Sequence, residues 1–301
     1  MSNHAIVIQL SWRHGYITVK VKAVALNPTD ILHIDYFASP GARQVGSLVT
    51  KRLKKGDRVA GFAHGSNALH HEDGTFAEYI TAKGDLLFLV PNNVTFEEAV
   101  TLGISITTVR QALYQSLGLP TPAAPAREKF SVLIYGGSTA TGALAIRFAK
   151  LSGLEVITTV SPKHFDYVKV LSADVAFDYS SETVVRDIKC ATGGRLKYAF
   201  DCISKEPRAK ISVGAFGDDG GIYTTLLPIP AELVSSINDK VTPKFTLAYS
   251  SIGEAFEVGQ SIPANPDDFT FAKTFWVLTE KLLGEGKIKF MNPGLIMAAG
   301  A

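Results

Sequence analysis

Residues 131–142, SVLIYGGSTATG, decide the fold. Ser131–Tyr135 reads as a short apolar strand. Thr141–Leu151, carrying Leu144, Ile146, Phe148 and Leu151, reads as the helix after it. The turn between them holds Gly136, Gly137 and Gly142, and a glycine turn from strand into helix is where a dinucleotide fingerprint belongs. Glycines let the backbone approach a pyrophosphate, and the helix start offers unpaired N–H groups and a favourable dipole. The spacing is not a strict G-x-G-x-x-G, and a ligand-free tight turn fits the loop taken alone. The surrounding βαβ pattern favours a cofactor.

Outward from this stretch, strands and helices alternate. Strands are expected at Glu155–Val160, Val175–Phe177, Leu196–Cys202, Ile222–Leu227 and Phe245–Tyr249. Pro162 opens one helix and Glu182–Lys189 forms another. Such alternation gives an α/β chain with a doubly wound parallel sheet, six-stranded between about Phe130 and Ile288. Phe271, Phe275, Leu278 and Leu282 recur at helical spacing and mark a packing face. Upstream of the proline-rich stretch Pro120–Pro125 the rhythm is different. Tyr16–Leu26, Arg58–Phe62 behind the turn Lys55–Asp57, and Gly74–Ile80 read as short strands of a smaller, mostly β domain.

Composition agrees with a two-domain globular chain. At 301 residues it has length for two domains of roughly 150 each. Hydrophobic residues make up 46% and charged ones 19%, which excludes a disordered chain. A net charge of +2 with the signs interspersed gives no footprint for nucleic acid. No run of about 18 apolar residues occurs and no signal peptide is read at Met1, so a soluble, cytoplasmic protein without a membrane partner is expected. Cys190 and Cys202 are too few for a disulfide scaffold, and Cys202 reads as core rather than as a nucleophile. The first domain has no cysteine, and His64, His70 and His71 lack a ligand spacing, so no metal is expected.

The end of the second strand selects among dinucleotides. An NAD site places an Asp or Glu about 20 residues beyond the loop, on the ribose 2′-hydroxyl. Here Ser161, Pro162, Lys163 and His164 follow the strand, with no acid. A hydroxyl beside cationic donors suits a 2′-phosphate, so NADPH is favoured over NADH. Ser161-Pro162 also fits a plain helix start, and the two readings are compatible.

The segments Asn27–Asp30, Lys55–Val59, Gly74–Tyr79 and Gly136–Gly142 occur in an order that resembles the medium-chain dehydrogenase/reductase superfamily. Leu102–Thr108, Tyr135–Thr141, Ser161-Pro162, Phe177–Tyr179 and Asp201–Ile203 are similar, more narrowly, to the fungal trans-acting enoyl reductases. The resemblance implies a GroES-like substrate domain over 1–120, a Rossmann domain binding NADPH over 121–290, and a shortened return segment over 291–301. It implies NADPH in the cleft, reducing the double bond of a carrier-tethered enoyl chain on an iterative polyketide synthase, the enzyme itself being a monomer. Ser138, Thr139, Ala140 and Thr141 would hold the pyrophosphate. Ser161, Pro162, Lys163 and His164 would surround the 2′-phosphate, Tyr179 would pack on the adenine, and Leu226 and Leu227 would meet the nicotinamide. The acyl pocket would be lined by Leu102, Gly103, Ile104, Ser105, Ile106, Thr107 and Thr108, and by Thr246, Leu247, Ala248, Tyr249 and Ser250. No catalytic residue is assigned; Thr107 and Thr108 are the candidates for polar contacts, although such a pair also suits a helix cap.

The sequence departs from the family at four places. Ile31 and Leu32 stand where the family carries Trp and Lys, the latter close to cofactor and substrate. A glycine-rich β segment is missing between Arg43 and Val45, the turn from Gln9 to Gly15 is short, and the chain stops at Ala301. These changes remove strands from a half-buried sheet, so turnover well below that of an intact relative is expected. A non-catalytic NADPH-binding protein and a zinc-independent quinone-type oxidoreductase stay open as alternatives.

Overall fold

A computed structural model describes residues 6–10 (backbone only), 15–27, 30, 53–70 and 73–288. Ile31, Leu32, the Arg43–Val45 junction, residues 11–14 and residues 291–301 lie outside the described residues, and so do the expectations placed on them. The chain divides into two compact units, 1–107 with 248–301, and 108–247.

The first unit begins with five short strands, β1 (Ile6–Leu10), β2 (Tyr16–Lys20), β3 (Val59–Gly61), β4 (Tyr79–Lys83) and β5 (Leu87–Leu89). β1, β2 and β4 make an antiparallel sheet, and β3 pairs with β5 in a separate antiparallel ladder. Ile17, Val19 and Ala82 meet Leu53, Val59 and Leu87 in the core. Two expected strands are shorter or later than read from sequence. The pairing of β2 with β4 ends at Lys20 and Tyr79, followed among the described residues by one backbone bond from Val21 N–H to the Glu78 carbonyl at 2.9 Å. Helix α1 (Phe96–Ala99) starts in a capping box of Thr95 and Glu98. Helix α2 (Gly103–Arg110) continues into a π-helical turn, Gln111–Ser116, and the chain enters the second unit within α2.

The second unit is the parallel sheet. In chain order come β6 (Ser131–Tyr135), α3 (Ala140–Leu151), β7 (Glu155–Val160), α4 (Phe165–Val170), β8 (Val175–Asp178), α5 (Val184–Ala191), β9 (Tyr198–Asp201), α6 (Glu206–Gly214), β10 (Gly221–Thr225), α7 (Ala231–Ile237) and β11 (Val241–Phe245). The spatial order is β8-β7-β6-β9-β10-β11, every pair parallel. Winding proceeds from β6 through β7 to β8, then returns to the other side of β6 at β9. This is the Rossmann arrangement, and its switch point lies between β6 and β9. Leu133, Ile157, Ala199 and Tyr223 of the strands pack with Ile188, Val213 and Val234 of the helices, without solvent exposure beyond 1%. The last strand is Val241–Phe245, not Phe245–Tyr249. Pro243 argues against a strand when read alone, but β11 is the sheet edge, where a missing N–H costs no ladder bond.

The chain then returns to the first unit through a 3₁₀ turn at Ala248–Ile252, the hairpin strands β12 (Phe256–Val258) and β13 (Gln260–Ile262), and α8 (Pro266–Gly284). Helix α8 belongs to the first unit rather than to the parallel core, and of the face read from the sequence Phe271 and Leu278 are only half-buried. Phe275 and Leu282 are buried with Trp276, which stacks on Phe88 of β5 at 5.8 Å.

Candidate functional site

The turn after β6 is built so that backbone donors face outward. Gly136 has φ +81, a conformation that a Cβ would strain, and it turns the chain off the end of the strand. Gly137 lies so close to β7 that a Cβ would come within 2.1 Å of the Thr158 hydroxyl oxygen. A Cβ on Gly142 would meet the Gly136 carbonyl oxygen at 2.3 Å, so this glycine lets α3 approach the strand end. Gly137 and Gly142 therefore keep the first and third places of G-x-G-x-x-G, with Thr139 at the central one. Thr139 is the N-cap of α3. Its hydroxyl accepts from the Gly142 N–H at 3.0 Å and donates to the Gly136 carbonyl at 2.8 Å. Among the described residues, the N–H groups of Ser138, Ala140 and Thr141 have no partner, and all three residues are partly exposed. They lie at the N-terminus of a helix of 12 residues, where free N–H groups and the helix dipole suit an anion.

The neighbouring strand ends carry the residues expected from the sequence at the 2′-phosphate and the adenine. Val160 of β7 pairs with Asp178 of β8, so Ser161 and Tyr179 leave the sheet side by side. Ser161 caps a 3₁₀ turn, Pro162–His164, in which Pro162 and Lys163 are exposed and His164 half-buried. The Lys163 ammonium makes no ion pair among the described residues. Arg208, on α6, lays its guanidinium over the Tyr179 ring, 4.7 Å from the centroid. Sequence reasoning missed Arg208, because α6 reaches Tyr179 only through the crossover from β8 to β9.

On the other side of the switch point the polar groups are buried. Asp201, at the end of β9, accepts from Tyr223 Oη at 2.7 Å and from the N–H groups of Ile203 and Ser204 at 2.8 and 2.9 Å. Burial raises its carboxyl above the ordinary value, against the pull of these donors. The same burial pushes Tyr135, beside it on β6, up to about 12. The Cys202 thiol is raised well above its usual range, also by burial, which leaves little thiolate for chemistry. Leu226 follows β10 with its side chain half-buried, and Leu227 is 41% exposed.

The two segments proposed for an acyl pocket each contain a point where the chain passes between the units, Thr107–Thr108 and Leu247–Ala248. Leu102, Gly103, Ser105, Ile106, Thr107 and Thr108 are buried and Ile104 is partly exposed. Gly103 starts α2 against β3, where a Cβ would sit 2.4 Å from the Gly61 carbonyl oxygen. The Thr107 hydroxyl donates to the Gly103 carbonyl at 3.2 Å, one turn back in the helix. Thr246 is buried, with its hydroxyl 3.0 Å from that of Thr224, which accepts from Ser116 at 2.6 Å. Tyr249 lies among the rings of His64, Phe62 and Phe256, and Ser250 Oγ donates to the Asp268 carboxylate. Leu247 and Ala248 are half-buried between them. Among the described residues, no three of His, Cys, Asp and Glu come together as a metal-ligand set.

A Rossmann sheet with a glycine-turn anion cradle, joined to a unit of short antiparallel strands, defines a dehydrogenase/reductase of the medium-chain class. The zinc-binding dehydrogenase family model matches residues 140–255. The trans-enoyl reductase ACTTS2 of Alternaria alternata is 46% identical over 290 residues, 92% of this chain and 82% of that protein. The trans-enoyl reductase TOXD of Cochliobolus carbonum is 47% identical over 260 residues, 83% of this chain and 86% of that one. The chain belongs to the trans-enoyl reductase family. The crystal structure of CurK enoyl reductase superposes with a TM-score of 0.65 at 15% identity, covering 99% of this chain and 86% of that one, which supports the fold.

Proposed function

We propose that the protein is an NADPH-dependent, trans-acting enoyl reductase, which saturates the double bond of an enoyl thioester carried by an iterative polyketide synthase. The observation that carries this reading is the cradle of three unpartnered N–H groups at Ser138, Ala140 and Thr141, at the switch point of a trans-enoyl reductase chain. The cradle fits a pyrophosphate. Ser161, Lys163 and His164, with no acid at the strand end, fit a 2′-phosphate, and Tyr179 offers a face for the adenine.

When bound, NADPH would supply the hydride for the β-carbon of the enoyl thioester, with Ser138, Thr139, Ala140 and Thr141 holding its pyrophosphate and Ser161, Lys163 and His164 its 2′-phosphate. The α-carbon would take its proton from solvent, which completes the saturated thioester. The chain's own contribution is to hold and orient. On this reading Leu226 and Leu227 would meet the nicotinamide, and Leu102–Thr108 and Thr246–Ser250 would line the acyl pocket. The nucleophiles of these segments are hydroxyls, of which those of Thr107 and Thr246 are in hydrogen bonds, and on this reading rate comes from positioning and from stabilising the enolate oxygen.

The test is NADPH oxidation with a crotonyl thioester, first on a small thiol and then on an acyl carrier domain. One NADPH consumed per saturated thioester, and faster consumption with the carrier-bound chain, is expected. Quinone reduction without thioester reduction, or NADPH binding without turnover, would overturn the proposal.

A further inference from the structure

Ser204 is a serine in the left-handed region, with φ +56, where an L side chain is strained. It is buried, at 5% exposure, in the turn that leaves β9. Its hydrogen bonds account for the conformation. The Ser204 N–H donates to Asp201 Oδ1, and Ser204 Oγ donates back to the Asp201 carbonyl at 3.0 Å. The remaining lone pair of that hydroxyl accepts from the Leu226 N–H at 2.7 Å, in the stretch after the neighbouring strand. Only a left-handed residue in a turn this tight, anchored twice on Asp201, aims its hydroxyl across to β10. Tyr223 of β10 closes the ring of bonds on the other carboxylate oxygen.

The same turn touches the cradle. Cys202 N–H donates to the Tyr135 carbonyl at 3.1 Å, and a Cβ on Gly136 would meet the Ile203 side chain at 3.0 Å. One four-residue turn therefore abuts the loop that receives the pyrophosphate and ties down the residue after β10.

We propose that Ser204 is a positioning residue, which fixes the Leu226 backbone so that the nicotinamide end of the dinucleotide is held at a set distance from the pyrophosphate cradle. The proposal rests on the cofactor reading above. In chemical terms, a bond of 2.7 Å to a buried hydroxyl removes the freedom of the Leu226 peptide, and a peptide so held presents a fixed wall to the reactive ring.

The informative variant is Ser204→Gly, because glycine adopts the left-handed conformation without strain while losing the hydroxyl together with its Cβ. Ser204→Ala is the second variant, and keeps a Cβ in the strained place. The first readout needs no cofactor: hydrogen exchange of the Leu226 amide in the free protein, expected at least tenfold faster in both variants. The second is binding. Affinity for 2′-phosphorylated ADP-ribose, which lacks the nicotinamide, is expected unchanged, while NADPH turnover falls severalfold and its deuterium isotope effect changes. Unaltered Leu226 exchange, or equal losses of affinity for NADPH and for the nicotinamide-free fragment, would overturn the proposal. Failure of the unmodified protein to bind NADPH, with Leu226 exchange still sensitive to Ser204→Gly, would overturn the cofactor reading on which it rests.

Discussion

Lys163 carries the sharpest electrostatic expectation. Its ammonium is exposed, makes no ion pair among the described residues, and stands one turn after the strand end where an NAD enzyme has its acid. Lys163→Glu puts a like charge against the 2′-phosphate and is expected to weaken NADPH by about tenfold or more, since a charge-assisted bond is worth roughly 1.5–3 kcal/mol. NADH, without that phosphate, loses little. Fluorescence titration of both cofactors checks this, and equal losses would count against the assignment. The placement of Ser161–His164 was legible because it is local: they follow a strand directly. Arg208 and Ser204 were not, because a guanidinium over Tyr179 and a hydroxyl bonded to Leu226 are set by crossovers between distant segments.

At the scale of elements, α3 depends on its cap. Thr139→Ala removes the acceptor for Gly142 N–H and the donor to Gly136, and should cost about 1 kcal/mol of stability. Thermal unfolding checks it, with an undiminished melting temperature as the contrary result. The tie between β9 and β10 has its own signature. Because burial raises the Asp201 carboxyl above its unfolded value, ionising it penalises the folded state. The penalty is absent at low pH, sets in as pH rises through about 4, and levels off above the folded value. Relative to Asp201→Asn, the unmodified protein should therefore lose stability as pH rises across the acid range. A difference independent of pH, or one of the opposite sign, would show that the three donors outweigh burial.

The strand at the sheet edge shows where pattern reading failed. Apolar residues after Pro243 suggested Phe245–Tyr249, but the edge position admits the proline, and the strand is Val241–Phe245. Ser131–Tyr135 and Glu155–Val160 have the bounds read from sequence, while the other two inner strands, Tyr198–Asp201 and Gly221–Thr225, were read as Leu196–Cys202 and Ile222–Leu227.

For the molecule as a whole, the parallel sheet supplies the reducing end of the reaction and the family supplies the acceptor. β6, β7 and β10 run parallel, so the turn after β6, the Ser161–His164 turn and Leu226 all follow C-terminal strand ends, the edge where the proposed reading puts the dinucleotide. Among the described residues, no helix is long and apolar enough to cross a membrane. The measurement that tests the account most directly is transfer of deuterium from NADPH labelled at the nicotinamide C4 to a crotonyl chain on an acyl carrier domain, read by mass spectrometry and NMR of the product. The account predicts one deuterium at the β-carbon, a solvent proton at the α-carbon, and no transfer from labelled NADH at equal concentration. Deuterium at the α-carbon, or none in a saturated product, would contradict it.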